Sequence, residues 1–196
     1  MISKITSAAR KQLSNIWIIA VLTMLAANII IGLVSLTTVG IIVIGHLSVG
    51  LAMWSLDIAK GDEPRLERLF DGFKNFVNPL VAYILMSVLV VAGFLFFIIP
   101  GIIVALGLSQ TFFIIAEKPE TDGIKALQQS WNMMKGYKTT YFLLFLRYFL
   151  LGILCVLTLG LGFLLLAPYV QITNTNFYLE VRGNTSDTFD EQYIVT

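Results

Sequence analysis

Residues 97–117, FIIPGIIVALGLSQTFFIIAE, constrain this chain more than any other stretch: one long apolar run ends at Pro100-Gly101 and a second begins at once. The run leading in, 77–99, is long enough to cross a bilayer as a helix at about 1.5 Å per residue. The run leading out, 102–116, is a little short and within the tolerance for mismatch. The rest of the chain reads as copies of this hairpin. Residues 16–36 span, Thr37-Thr38-Val39-Gly40 turns, and 41–58 returns; later 140–157 spans, Thr158-Leu159-Gly160-Leu161-Gly162 turns, and 163–179 spans for the sixth time.

Composition agrees: 57% hydrophobic against 13% charged residues belongs to a chain whose solvent is lipid. A net charge of +1 excludes a nucleic-acid footprint, which needs a basic face. The single cysteine, Cys155, lies in an apolar run, so neither a disulfide nor a cysteine metal site is expected and no cofactor is implied. Lys4, Arg10 and Lys11 precede 16–36 as in a secretory signal. That segment is too long and lacks a small-x-small cleavage site, so it reads as a retained span.

Between the hairpins lie amphipathic segments. Ile2, Ile5, Ala9 and Leu13 form a helical stripe in residues 2–14. Gly61-Asp62-Glu63-Pro64 breaks the chain and opens a second segment, with Leu66, Leu69, Phe70, Phe73 and Phe76 on one side and Arg65, Glu67, Arg68, Asp71 and Lys74 on the other. The third places Ile124, Leu127, Trp131 and Met134 in a stripe, with Thr121 or Asp122 as cap and Gly136 as stop. All three are expected to lie along the membrane surface. The turn glycines Gly40, Gly101 and Gly162 recur at one spacing (101 − 40 = 61; 162 − 101 = 61), which predicts three like units, 1–60, 61–120 and 121–182, in a pseudo-threefold bundle. The fold class is all-α: a polytopic membrane protein with six transmembrane helices as three hairpins, a single membrane domain over 1–182 and a polar tail over 183–196.

Every Lys and Arg except Arg147 falls in the N-terminus, the two linkers or the tail, and the opposite turns carry no charge. The positive-inside rule therefore places both termini and all three amphipathic segments in the cytoplasm.

The ordered set Gly61-Asp62-Glu63-Pro64, Leu69-Phe70-Asp71-Gly72-Phe73, Pro100-Gly101-Ile102, Ser130, Met133-Met134-Lys135-Gly136, Lys138, Thr158-Leu159-Gly160-Leu161-Gly162, Pro168-Tyr169 and Asn176-Phe177-Tyr178 resembles a bacterial integral-membrane family, domain of unknown function 975. The resemblance runs from about Lys11 to Leu179. It implies a six-span protein of the bacterial cytoplasmic membrane and brings no catalytic residue. Family members often carry a polar or basic residue after the Pro-Gly-Ile; here Val104-Ala105 follow.

Intramembrane polar groups are costly and mark candidate sites. Counted from the outer turns, Asn28, Gln110, Arg147 and Gln171 lie about 14–16 Å deep, a candidate polar layer continued by Thr173, Asn174 and Asn176 on the last span. Arg147 should face the interior and find a partner, either as a structural tie or as the binding group for an anion. Asp57, Glu117 and Glu180 end the second, fourth and sixth spans; they read as a cation or proton site, or as interfacial acids paired with Lys60, Lys118, Lys138 and Arg182. His46 has no second His or Cys near it in sequence and reads as a hydrogen-bonded structural histidine rather than a metal ligand. Gly45, Ser48, Gly50 and Ala52 permit close helix contact on the second span. Pro168-Tyr169 is expected to kink the last span.

Three functions stay open. A non-enzymatic interaction, assembly or scaffold factor would work through its cytoplasmic amphipathic segments on a cytoplasmic or membrane protein partner or on lipid. A ligand-binding or transport protein would use the Arg147 layer. An intramembrane enzyme would have only Asp57, Glu117 and Ser109 as loose candidates, since Ser109 and Ser130 lack recognisable His and acid partners and no hydrolase, Walker or zincin pattern occurs.

Overall fold

A computed structural model describes the backbone of residues 1–14, 16–35, 40–157, 160 and 162–194, and the side chains of these outside 30–42 and 185–194. Everything regular in this set is helical. In chain order the elements are α1 (Ile2–Leu13), α2 (Trp17–Ser35), α3 (Gly40–Lys60), a 3-10 helix (Leu66–Phe73), α4 (Val77–Phe96), α5 (Ile98–Leu108), α6 (Thr111–Glu117), α7 (Gly123–Met133), α8 (Lys138–Leu157) and α9 (Gly162–Ile194).

Local chemistry sets several boundaries. The stripe of α1 buries Ile5, Thr6, Ala9 and Leu13, and the chain turns by 99° into α2. Gly61, at φ 92°, ends α3 in the left-handed region that a side chain disfavours. Asp122 caps α7 by accepting from the Ile124 N–H at 3.3 Å, and Gly136, at φ 83°, closes the turn that follows it.

Among the described residues three helices are long and apolar enough to cross a membrane: Val77–Phe96, the broken pair α5 and α6 taken as Ile98–Glu117, and Lys138–Leu157. Their packing has the sign opposite to that of a water-soluble fold. Only 11% of the α4 window and 6% of the α8 window are buried, and Leu95, Phe96, Phe97, Ile98 and Ile99 stand between 69% and 82% exposed at the hairpin tip. So much contiguous apolar surface requires hydrocarbon around it, and the chain is a membrane protein.

Inside, α3, α6 and α9 meet in one core that includes Val49, Met53, Phe113, Ile115, Phe177 and Val181. The amphipathic segments pack onto these inner helices: α1 on α9, the 3-10 helix on α3, and α7 across α4, α5 and α6. None simply floats at the surface.

The structure alters several expectations. The turn between 77–99 and its return is at Phe97, whose backbone is extended (φ −168°, ψ 159°), and not at Pro100-Gly101. Pro100 falls in the first turn of α5, where its missing N–H costs nothing. Gly93 and Gly101 then meet across the hairpin, a Cβ on Gly93 lying 3.0 Å from the Gly101 Cα. Gly40 and Gly162 begin their helices whereas Gly101 is the fourth residue of its own, so equal sequence spacing does not mean equal place in the helix. The 102–116 return is two helices, broken at Ser109-Gln110. The second amphipathic segment is a 3-10 helix, which buries Leu69 and Gly72 three apart and leaves Leu66, Phe70 and Phe76 44–56% exposed. Helix α9 contains Pro168 and runs on to Ile194, through the stretch read as a tail. The turn residues Thr37, Thr38, Val39, Thr158, Leu159 and Leu161 lie outside the described set.

Candidate functional site

Helix α9 is the polar hub. Gln171 donates through Nε2 to the Leu51 carbonyl at 3.3 Å and to Ser55 Oγ at 3.1 Å, tying α9 to α3. Asn174 accepts from the Tyr148 hydroxyl of α8 at 3.3 Å, and Asn176 donates to Gln12 of α1 at 2.7 Å. Further along α9 Glu180 meets Lys4 of α1 at 3.3 Å, while Arg182 meets Glu117 of α6 at 2.6 Å. Glu117 also accepts from the Tyr178 hydroxyl at 2.8 Å. In lipid such bonds are worth about 1 kcal/mol each, and together they fix which face each neighbour presents.

The expected polar layer is dispersed. Arg147 of α8 donates to Thr6 Oγ1 of α1 at 3.4 Å, so its partner is the amphipathic N-terminal helix. Asn28 is exposed and donates to the Met24 carbonyl of its own helix at 2.7 Å. Asn28 and Gln171 do share the wall of a groove of about 520 Å³ between α2 and α9. Gln110 stands apart from all of them.

Gln110 sits at the break between α5 and α6 and is fully buried. Ser130 of α7 repairs that break: its hydroxyl donates to the Gly107 carbonyl at 2.9 Å and accepts from the Gln110 N–H at 3.2 Å. The Gln110 amide donates to Ser109 Oγ at 2.8 Å, and its Oε1 is buried with no hydrogen-bond partner. Trp131 packs on Gly107, where a Cβ would lie 2.4 Å from the indole ring, and Lys138 Nζ stands 3.4 Å from the ring centroid.

The three acids are separately paired. Asp57 receives Arg68 Nε at 2.6 Å and Nη2 at 3.3 Å, a two-pronged bond from the 3-10 helix; Arg68 Nη1 reaches on to Asp71 at 2.7 Å, and Lys74 reaches Asp71 at 2.8 Å. Bonds to Asp57 and then Asp71 hold the Arg68 guanidinium above its ordinary value. Lys74 first and Arg68 second hold the Asp71 carboxyl below its own. Of the four cations considered for the acids, Arg182 pairs with Glu117; Asp57 and Glu180 take Arg68 and Lys4. Among the described residues no three His, Cys, Asp or Glu side chains come together to hold a metal ion.

His46 is fully buried, its Nε2 2.8 Å from the Phe76 carbonyl and its ring 4.9 Å from that of Phe73 and 4.7 Å from that of Phe76. Counting from the outer turn separates His46 from the segment read as surface-bound; in the structure the two touch. The small residues of α3 allow it. A Cβ on Gly50 would stand 1.9 Å from the Leu69 carbonyl oxygen, and one on Gly72 would stand 2.0 Å from that of His46. Sequence reasoning passes over Thr6, Gln12 and Tyr148, and it names His46, Gly50 and Ser130 without the partners they meet here. The Gly50 and Gly72 pair carried a signal, being glycines facing each other across an amphipathic linker.

An all-helical membrane protein held by interhelical polar ties is the class these features define. Within that class, the chain belongs to the family described as Protein of unknown function (DUF975), whose profile matches residues 88–185, half of the chain. The match begins inside α4, so the motif Gly61-Asp62-Glu63-Pro64 and helices α1–α3 fall outside it. No curated relative and no solved structure matches the chain.

Proposed function

We propose that the chain is a non-enzymatic protein of the bacterial cytoplasmic membrane, crossing six times as three hairpins with both termini cytoplasmic, and that it acts as an interaction, assembly or scaffold factor through its cytoplasmic segments. One observation carries this reading. The intramembrane polar groups Gln171, Asn174, Asn176, Arg147, Glu117 and Glu180 are each bonded to another helix, an arrangement suited to a fixed platform. The outward side chains Phe70 and Ile124 of the amphipathic segments, 56% and 48% exposed, are then the groups available to a partner.

The three-unit arrangement has support of its own. Each amphipathic segment touches the returning helix of a hairpin in cyclic order, α1 on α9, the 3-10 helix on α3, α7 on α5 and α6, and α7 packs on the outgoing α4 as well. The side of the membrane follows from the charge asymmetry of the loops.

A photo-reactive residue at Phe70 or Ile124, compared with one at the exposed Leu150 of α8 in native membranes, tests the function. Discrete protein adducts at the first two and lipid alone at Leu150 support it. Lipid alone at all three positions overturns it.

A second reading, a small or lipidic ligand, draws on the groove shared by Asn28 and Gln171. Gln171→Leu should release any species that co-purifies there and leave Arg147→Gln without that effect. An intramembrane enzyme has least support: Arg68 holds Asp57, Arg182 holds Glu117, and Ser109 donates to the Leu106 carbonyl at 2.8 Å.

A further inference from the structure

Along the seam of α8 and α9 runs an open groove of about 500 Å³. Leu151, Leu154 and Cys155 line it from α8, and Leu165, Leu166 and Tyr169 from α9. From Gly162 to Tyr169 it follows about two turns of α9. Arg10, in the last turn of α1, and Trp17, the first residue of α2, complete the wall. Since α1 meets α9 beyond Tyr169, at Asn176 and Glu180, Arg10 closes the Tyr169 end.

Three properties of this groove fit together. Its long walls are aliphatic and continuous with the outer surface, Leu150, Leu154 and Leu165 being 57% exposed. Its cation is uncommitted, because Arg10 makes no ion pair among the described residues, whereas Lys4 on the same helix is paired with Glu180. Tyr169 is only 7% exposed, yet its hydroxyl is buried with no hydrogen-bond partner. A ligand group that supplies an acceptor there satisfies a donor the protein leaves unmade.

We propose that the groove binds one anionic phospholipid: an acyl chain lies between α8 and α9, the phosphate meets the Arg10 guanidinium, and the Tyr169 hydroxyl donates to an ester oxygen. The planar guanidinium suits a phosphodiester, which it can grip with two N–H donors. A soluble anion would leave the aliphatic walls unfilled, and a neutral lipid would leave Arg10 unanswered. The inference needs only the membrane setting and is independent of any protein partner.

The test uses the full chain in mild detergent, titrated with phosphatidylglycerol or phosphatidylcholine of identical acyl chains and read by native mass spectrometry. The wild type should retain one phosphatidylglycerol in preference to phosphatidylcholine. Arg10→Gln should weaken that retention by about fivefold, the size expected of one basic side chain at an anionic headgroup, and abolish the preference. Lys11→Gln, the same charge change one residue on and outside the groove, should leave it intact. Leu154→Trp, which fills the trough from a lipid-exposed position, should displace both lipids. Equal retention of the two lipids by the wild type, an effect of Lys11→Gln matching that of Arg10→Gln, or unchanged retention by Leu154→Trp would each overturn the proposal.

Discussion

The 3-10 helix on α3 and α7 on α5 and α6 perform the same task, seating a polar linker against an apolar helix, by opposite means. In the first, side chains are removed. Gly50 and Gly72 let two backbones close to contact while α3 stays unbroken, and His46 completes the fit by stacking on Phe73 and bonding the Phe76 carbonyl. In the second, the helix itself gives way. The chain breaks at Ser109-Gln110, and the Ser130 hydroxyl answers the two backbone groups set free. Close packing in lipid can thus come from glycine, which costs backbone entropy, or from a hydroxyl, which puts a polar group inside.

The contrast can be broken first at the glycines. Gly50→Ala or Gly72→Ala places a Cβ against backbone oxygen that cannot rotate away, and should cost about 3 kcal/mol or more in unfolding measured in detergent micelles. Gly183→Ala is the internal control: its Cβ would meet nothing within 4 Å, and the change should be neutral or stabilising by up to about 1 kcal/mol. Equal effects at Gly50 and Gly183 would mean that the two backbones do not touch.

At the other seam, Ser130→Ala should cost about 2 kcal/mol, because the Gly107 carbonyl and the Gln110 N–H lose their partner in apolar surroundings. Hydrogen exchange should accelerate in α6 and not in α3; uniform acceleration would show that the clasp is not local. Gln110→Met removes a buried oxygen without a partner and should equal or exceed the wild type in stability, by about 1 kcal/mol at most.

The smallest effect belongs to pH. The Asp71 carboxyl, lowered from its ordinary 3.8, contributes in full above that value and loses its contribution as pH falls through the still lower value it has in the fold. Its surroundings are partly open to solvent, so the amount is well under about 1 kcal/mol. An acid titration of unfolding for Asp71→Asn should run slightly flatter below pH 4 than that of the wild type, and Arg68 stays charged throughout.

Helix identity was legible because long uncharged runs, the Gly61 break, the Asp122 cap and the Gly136 stop act locally. The extended backbone at Phe97 was not, since Pro-Gly serves a turn and the first turn of a helix equally well. The 3-10 helix was hidden because a stripe read at 3.6 residues per turn and one read at 3.0 share Leu66 and Leu69 and part only from Phe70 onward, where the first takes Phe70 and Phe73 and the second Gly72. Among the site residues, the pairing of Glu117 with Arg182 was within reach of sequence. Arg147 with Thr6 was not: depth along a helix says nothing of which helix stands opposite, and no spacing announces that α1 packs on α9.

That last contact bears on how the protein is made. Helix α1 leaves the ribosome before α9, and the face carrying Ile5, Ala9 and Leu13 has its main partner in that later helix. Until α9 emerges that face must be sheltered by the lipid interface, and Gln12 and Lys4 wait for Asn176 and Glu180. The bundle is therefore a clasp that snaps shut only after α9 has entered the bilayer, and a chain interrupted before α9 would present an unclosed seam to membrane quality control.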